Sequence, residues 1–283
     1  MALTITSSSY AGEHAKAYVN AALKQADTLK YLTIRENINY KEVINKIAGA
    51  NLVKDRSCDF TENSATLTLT EQVLEVKPLQ INIDLCKKTM LSDWSGRQED
   101  DFVAYAMSFL GKSIADAVET SIWAGSGGTS GQFAGISATG MTASSASAAY
   151  TADNIIANLG TLVADVPASV YMSDDLYIYM NKKTYRFYIE AISALSAFPF
   201  NNMGEYNSNY NGIKIAVCAG VPDNVMYAGE ASNLFFGTSL ESDLTEVRML
   251  DMADLDGSDN LRMVAKWTAG VQVGVPSDFT KQS

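Results

Sequence analysis

His14 is the one histidine of this chain, so any imidazole general base has to be it. It lies far in sequence from any serine or cysteine with catalytic surroundings, which leaves Ser-His-Asp and Cys-His chemistry without a base. A surface histidine is expected. Residues 125–131, GSGGTSG, are glycine-rich enough to aim backbone N–H groups at a phosphate. No Gly-Lys-Ser/Thr follows, and the run comes after a helical segment, whereas a nucleotide loop follows a strand and opens a helix. Asp251, Asp254, Asp256 and Asp259 bring carboxylates to short spacing, as a calcium loop does, but the position that should close the loop with glutamate is Met263. A solvated acidic turn is expected there. Cys58, Cys86 and Cys218 are odd in number, far apart and without a CxxC pair, so they read as three free thiols rather than a disulfide framework or a zinc site. Among 32 acidic residues no carboxylate pair is singled out for glycosidase work. No catalytic, cofactor-binding or metal-binding residue is assigned, and no cofactor.

The elements that would position chemistry centre on one long helix. From Gln98 to Ala124, Phe102, Ala106, Phe109, Leu110, Ala117, Val118 and Ile122 recur at helical spacing, with Asp100, Asp101, Lys112, Asp116 and Glu119 mostly between them. Such a helix is about 40 Å long. Glu99, Asp100 and Asp101 suit its positive end, and Gly125 stops it. Before it, the pattern predicts a helix over residues 13–32 and a short helical piece over 40–47, together a surface arm. Alternation of Leu67 and Leu69 with threonines, and of Leu74 and Val76 with Glu75 and Lys77, predicts strands. Pro78 interrupts, and Leu79, Ile81, Ile83 and Leu85 continue as another strand. The polar stretch 51–77 lacks the apolar mass to bury both faces and reads as an extended hairpin whose partner is another molecule. After the long helix, residues 125–149 form a loop. A helix capped by Thr151 carries the stripe Ile155, Ile156, Leu159, Leu162 and Val163. A short strand is expected over 170–172, an aromatic helix after Ser173 with Leu176, Tyr179, Met180, Phe187 and Ile189 on one face, a loop over 201–212, and strands over 213–218, 224–227, 233–237, 245–249 and 261–275. The fold class is α+β.

Totals restrict the function. The 283 residues, 47% hydrophobic, suffice for one large domain or two moderate ones. No window approaches the twenty or so apolar residues of a membrane span, and MALTITSSSYAG has no basic start followed by an apolar run, so neither a span nor a signal peptide is read and a soluble cytoplasmic product is expected. A net charge of −11 disfavours sequence-specific nucleic-acid binding. The charge is uneven: residues 1–50 lean basic through Lys16, Lys24, Lys30, Arg35, Lys41 and Lys46, and residues 230–260 are strongly acidic.

Three runs resemble one family. After the long helix come Gly125, Gly127, Gly128, Gly131, Gln132, Gly135 and Ile136; then Gly212-Ile213-Lys214-Ile215, Pro222, Ala228-Gly229 and Leu234-Phe235-Phe236-Gly237; and last a strand through Leu261 and Trp267 past Gly270 and Val273 to Pro276. In this order they are similar to the major capsid proteins of tailed bacteriophages, the Hong Kong 97-like fold. The runs Cys58-Asp59-Phe60, Leu69-Thr70-Glu71, Val76-Lys77-Pro78 and Cys86-Lys87-Lys88 resemble the branch infecting Bacteroidetes, which includes the crAss-like group. The resemblance implies an α+β capsid fold with an N-terminal arm (1–50) that clasps a neighbour, an extended hairpin loop (51–77), a peripheral domain (78–148 and 229–283) with a spine helix (98–124), and an axial domain (149–228) whose candidate axis loop is 201–212. It implies assembly with itself into hexamers and pentamers of an icosahedral shell, portal and scaffolding proteins as partners, weak contact with packaged double-stranded DNA, a possible decoration protein, no membrane and no catalysis. Covalent cross-linking in the family joins a hairpin lysine to an asparagine; Lys54 and the asparagines at 201, 202, 207, 209 and 211 are present, but nothing marks a pair, and none is expected. The resemblance also implies that any scaffold is a separate protein or has been removed. An encapsulin-like compartment shell is the alternative, followed by an α+β hydrolase and by a surface adhesin or tail component, which would carry more β repeats.

Overall fold

A fourteen-residue strand near the C-terminus collects most of the first sheet in the computed structural model, which describes residues 8–11, 27–49, 53, 67–86, 99–145, 149–194, 209–239, 246–253 and 255–283. In chain order the strands are β1 (Ser8–Ala11), β2 (Thr33–Arg35), β3 (Lys41–Gly49), β4 (Leu67–Glu75), β5 (Lys77–Cys86), β6 (Thr142–Ser144), β7 (Leu176–Met180), β8 (Asn209–Tyr210), β9 (Ile213–Val217), β10 (Met226–Glu230), β11 (Leu234–Gly237), β12 (Glu246–Asp251), β13 (Asn260–Val273) and β14 (Thr280–Gln282). The helices are α1 (Glu99–Ala124), α2 (Ile155–Ala164) and α3 (Lys182–Ala194). One sheet runs β1-β12-β13-β11-β2, with β5 also on β13; a second runs β6-β14-β10-β7-β9-β8; β3 and β4 form a separate two-stranded ribbon. No helix among the described residues is long and apolar enough to cross a membrane.

Helix α1 joins the two sheets. Its buried stripe is Leu110, Ile114, Val118 and Ile122, and it shares one core with Leu79, Leu261, Met263, Ala265 and Trp267 of the first sheet and with Tyr179, Ala216 and Tyr227 of the second. At its C-terminal end the Trp123 ring lies 4.9 Å from that of Tyr227 and 5.2 Å from that of Tyr179, with Phe279 6.0 Å from Tyr179. The opposite face of the second sheet carries Leu176, Ile178, Met180, Met226 and Ala228 into a second core under α2 and α3. Two glycines permit backbone contacts that a side chain would block. A Cβ at Gly270 would stand 2.1 Å from the Glu75 carbonyl oxygen, where the base of the ribbon crosses β13, and one at Gly220 would stand 2.1 Å from the Glu119 carbonyl oxygen.

The long helix and most later strands agree with the sequence pattern; several elements do not. Residues 40–47, expected as helix, form β3, because Val43, Ile44 and Ile47 are β-branched and a complementary strand pairs with them from Lys41↔Glu75 to Gly49↔Leu67. The ribbon's first strand therefore comes from the stretch assigned to the arm, and β4 pairs with it instead of with a strand inside 51–77. Pro78 does not break a strand: it lies near the start of β5, opposite Thr268. The aromatic helix expected after Ser173 begins as strand β7, since Tyr177 and Tyr179 face the α1 side while Leu176, Ile178 and Met180 face α2 and α3, a period of two. The helix starts only at Lys182, where the Asn181 side-chain oxygen accepts the Thr184 N–H at 2.7 Å. The strand expected over 170–172 is a turn, with Val170 buried and Met172 88% exposed. Thr151 does not cap α2; Asn154 precedes the helix and accepts the Thr151 N–H. Of the expected helix over 13–32, the described part is a 3-10 turn, Thr28–Tyr31. Strands β6 and β14, from stretches assigned to the peripheral part, pair in the second sheet. In α1, Phe109 is 57% exposed and Ala117 is exposed, whereas Glu119, expected on the polar face, is buried. The side chains of Phe102 and Ala106 lie outside the described residues.

Candidate assembly site

Residues directly opposite in an antiparallel pair project to the same face, so the register of β3 and β4 sorts the ribbon into two surfaces. One carries Val43 and Val73, then Asn45 and Glu71, then Ile47 and Leu69, then Leu67 opposite Gly49. Its five large apolar side chains are 44% to 71% exposed. A Lys41–Glu75 ion pair of 3.1 Å closes this face at the base. The other face carries Leu74, Ile44, Gln72 and Lys46, and here the ribbon meets its own body. Leu74, Val76 and Ile38 form a small core with Ile44 and Phe235, and the Val76 N–H donates to the Tyr40 carbonyl at 3.0 Å. Farther out, Gln272 Nε2 donates to Gln72 Oε1 at 3.1 Å and Lys46 Nζ lies 3.4 Å from Asp278 Oδ2. Among the described residues the ribbon is thus held along one face and leaves five large apolar side chains exposed on the other. An exposed apolar face of this kind makes the ribbon the candidate contact surface of the chain.

A second site anchors the chain upstream of the ribbon. Glu119, 5% exposed, sits near the C-terminal end of α1, the wrong end of a helix dipole for an anion. Its Oε2 accepts the Thr28 N–H at 3.2 Å, and its Oε1 accepts the Thr28 hydroxyl and, at 3.2 Å, the Gly220 N–H. Thr28 Oγ1 in turn accepts the Trp123 Nε1–H at 2.8 Å. All of these donors are neutral. A buried carboxylate satisfied by hydrogen bonds ties the N-terminal segment and the turn before β10 to one position on α1. The pattern of polar and apolar positions did not signal Glu119, because a single acid one turn from the C-terminus looks solvated until two other segments fold over it.

Comparison with protein-family models and with curated proteins finds no match for the sequence. Comparison with solved structures does. A chain of Gordonia phage Cozz matches with a TM-score of 0.64 at 14% identity, over 91% of this chain and 86% of that one. A chain of the satellite phage P4 procapsid matches with a TM-score of 0.64 at 10% identity, over 99% and 92%. A virus-like particle from Pyrococcus furiosus matches with a TM-score of 0.56 at 11% identity, over 96% and 99%. The chain has the Hong Kong 97-like capsid fold.

Within this fold the glycine-rich loop after α1 works opposite to a phosphate cradle. Lys77 Nζ donates to the carbonyls of Gly127 at 3.0 Å, Thr129 at 3.5 Å and Gln132 at 2.8 Å, so the loop turns oxygens toward a cation. The substitution K77M leaves these carbonyls without their donor and should cost about 2 kcal/mol, read as a lowered Tm and faster amide exchange across residues 125–134. The acidic turn between β12 and β13 is a tight turn: Gly257 has φ 74°, and the Ser258 N–H donates to Asp256 Oδ1. Among the described residues no group of three or more His, Cys, Asp or Glu side chains comes together. His14 and Cys58 lie outside the described residues. Cys86 is exposed and Cys218 buried, and neither is in a disulfide. Burial pushes the Cys218 thiol up from 9.0 to about 12. Its folded pKa exceeds its unfolded one, so its contribution to stability is complete below about pH 9 and is lost as pH rises toward 12. Thiol labelling of the native protein at pH 8 should modify Cys86 and leave Cys218 slower on the order of 100-fold.

Proposed function

We propose that this chain is the major capsid protein of a tailed bacteriophage, assembling with itself into the hexamers and pentamers of an icosahedral shell around double-stranded DNA, without catalysis. The observation that carries the reading is the ribbon face of Val43, Val73, Ile47, Leu69 and Leu67, exposed among the described residues; the fold, matched over 91% of this chain with a chain of Gordonia phage Cozz and over 99% with one of the satellite phage P4 procapsid, supports it. The extended loop is then the β3–β4 ribbon, and pairing from Lys41 to Glu75 favours limits of 41–75 over 51–77, leaving 1–40 as the arm. Residues 78–148 and 229–283 are the peripheral domain with α1 as its spine, and 149–228 the axial domain, to which β6 and β14 add through their sheet. The axis loop falls within residues 201–212, of which 201–208 lie outside the described residues and Asn209–Tyr210 form β8. Net charge of −11 suits a container that should not grip packed DNA over its whole surface. The reading also calls for portal and scaffolding proteins and leaves room for a decoration protein. Affiliation with Bacteroidetes phages is the finer proposal, supported only by the four short sequence runs noted above.

The test is particle formation. Purified protein viewed by cryo-electron microscopy should form capsomers or closed shells tens of nanometres across; a monodisperse monomer at high concentration contradicts the proposal. An encapsulin-like compartment shell is the second reading, and the similarity to a virus-like particle from Pyrococcus furiosus suits a shell of either kind. Nuclease-protected DNA inside particles produced during infection separates the two.

A further inference from the structure

The lobe of the second sheet carries a groove of about 550 Å³ between helix α2, the turns that follow it and the tight turn between β8 and β9. Gly160 and the buried Val163 and Val166 line its depth, and Tyr171 and Met172, 42% and 88% exposed, stand at its mouth beside Asn211. Among the described residues no charged side chain lines it. The groove is built before anything enters it. The Tyr210 hydroxyl donates to the Ile156 carbonyl at 3.2 Å and holds the β8–β9 turn on α2, and Asn211 and Gly212 at the tip of that turn both have positive φ. On the other side the Val170 N–H donates to the Pro167 carbonyl and the Ser173 N–H to the Val170 carbonyl, each at 3.1 Å. Gly160 lies inside the ten-residue helix α2, where glycine costs about 1 kcal/mol against alanine. Its own chain does not require it there: a Cβ would meet only the Tyr210 hydroxyl, at an ordinary 3.5 Å. A side chain is absent where the chain has room for a methyl and a groove opens, the arrangement that suits close approach by another molecule.

We propose that this groove receives the apolar face of a cationic amphipathic helix from a different protein chain. Exposed Asp165 stands between the lining residues Ala164 and Val166, and exposed Asp174 two positions after Met172, so the groove is neutral within and acidic at its rim. An uncharged cleft with carboxylates beside it fits leucine-like anchors at i, i+3, i+4 and i+7 that carry lysine or arginine on their flanks. Methionine and tyrosine at the mouth suit such a ligand, because a flexible thioether adapts to anchors of different shape and a phenol presents an apolar body with a polar tip. A second copy of this chain fits less well. On α3, Lys183 is paired with Asp223 at 2.8 Å and Arg186 with Glu190 at 3.2 Å, and the apolar ribbon face carries Glu71 and the Lys41–Glu75 pair. Each of these surfaces would bring carboxylates to an acidic rim. The contact is a property of one lobe and does not depend on shell formation.

Two synthetic helices of about fourteen residues test this, both with leucines at i, i+3, i+4 and i+7 and with either lysine or glutamate at the flanking positions. At physiological salt the full chain should bind the lysine peptide about tenfold or more tightly than the glutamate peptide, and hydrogen exchange should slow across residues 160–173. G160L places a side chain in the groove and should weaken the lysine peptide by about tenfold or more with the Tm retained. D165K/D174K, at exposed positions, should remove or reverse the preference between the two peptides. Should G160L lower the Tm, Y171S/M172S takes its place, since it strips the apolar mouth at exposed positions where folding depends little on the side chain. Equal affinity for the two peptides, binding that the groove variant leaves unchanged, protection confined to other residues, or no binding of the lysine peptide each overturns the proposal. So does protection of 160–173 that grows with protein concentration in the absence of peptide, because a second copy is then the occupant.

Discussion

The double substitution I47D/L69D is expected to leave a folded protein that no longer assembles. Ile47 is 71% and Leu69 57% exposed, they face each other across the ribbon, and neither belongs to a core of the chain, so each exchange should change unfolding free energy by no more than about 0.5 kcal/mol. The effect on association is of another size. Covering an isoleucine or leucine with a neighbour stabilises by about 1.5–3 kcal/mol per side chain, and an aspartate in the same contact must also be stripped of water. Each contact therefore weakens by several kcal/mol, and a shell repeats the contact at every subunit. Thermal unfolding should give a Tm near that of the parent, while sedimentation velocity shows only monomers or small oligomers. Shells at parental yield would show that this face is not the one a neighbour covers. L74D is the contrasting variant: Leu74 is fully buried on the opposite face at the ribbon base, so a charge there should cost about 4 kcal/mol or more and release the ribbon from the body. F109D belongs with the exposed group. Its ring is more than half exposed on α1, so it should not damage folding, contrary to what its place in the helical pattern suggests.

Loss of the Glu119 carboxylate should produce the largest fall in stability of any single surface-like residue in the sequence. In E119A the Thr28 N–H, the Thr28 hydroxyl and the Gly220 N–H lose their acceptor inside the core, where each unmatched donor costs about 1–3 kcal/mol. Allowing for partial relaxation, about 3–5 kcal/mol is expected, a fall in Tm of roughly 5–8 °C for a chain of this size. The glutamine variant should lie between, since its carbonyl still accepts from Thr28 or Gly220 but its amide meets a donor where an acceptor stood. Hydrogen exchange separates this local anchor from a general loss of packing. Amides of 28–32 and 218–221 should lose protection first, with β13 and β5 unaffected. Uniform loss of protection would mean that Glu119 supports the core without any special tie to the arm.

Much of the fold was legible in the residues because local pattern and final environment agree there. The stripe on α1 has a helical period and packs as a helix; Leu79, Ile81, Ile83 and Leu85 alternate and form β5; Asp256-Gly257 predicts the turn that Gly257 makes at positive φ. Where pattern was ambiguous, partners decided. The pattern over residues 40–47 predicts a short helical piece, and the nine-residue pairing with β4 makes 41–49 a strand instead. The run LYIYM reads as helix through the spacing of Leu176, Tyr179 and Met180 after Ser173, and is a strand because it is buried on both faces, under α1 on one side and under α2 and α3 on the other.

Composition and spacing by themselves determined that this is an α+β chain with a long amphipathic helix and an overall acidic charge. They also carried the family resemblance, through glycines and prolines whose order is readable without coordinates. Tertiary structure alone decided which face of the ribbon is bare, that Phe109 is outside and Glu119 inside, and that the glycine loop points carbonyls at Lys77. The reason is physical: periodicity reports how a segment sorts its own side chains, whereas burial of a particular face depends on segments distant in sequence. Glu119 meets Thr28 and Gly220 across 91 and 101 residues, and no local pattern encodes such a meeting.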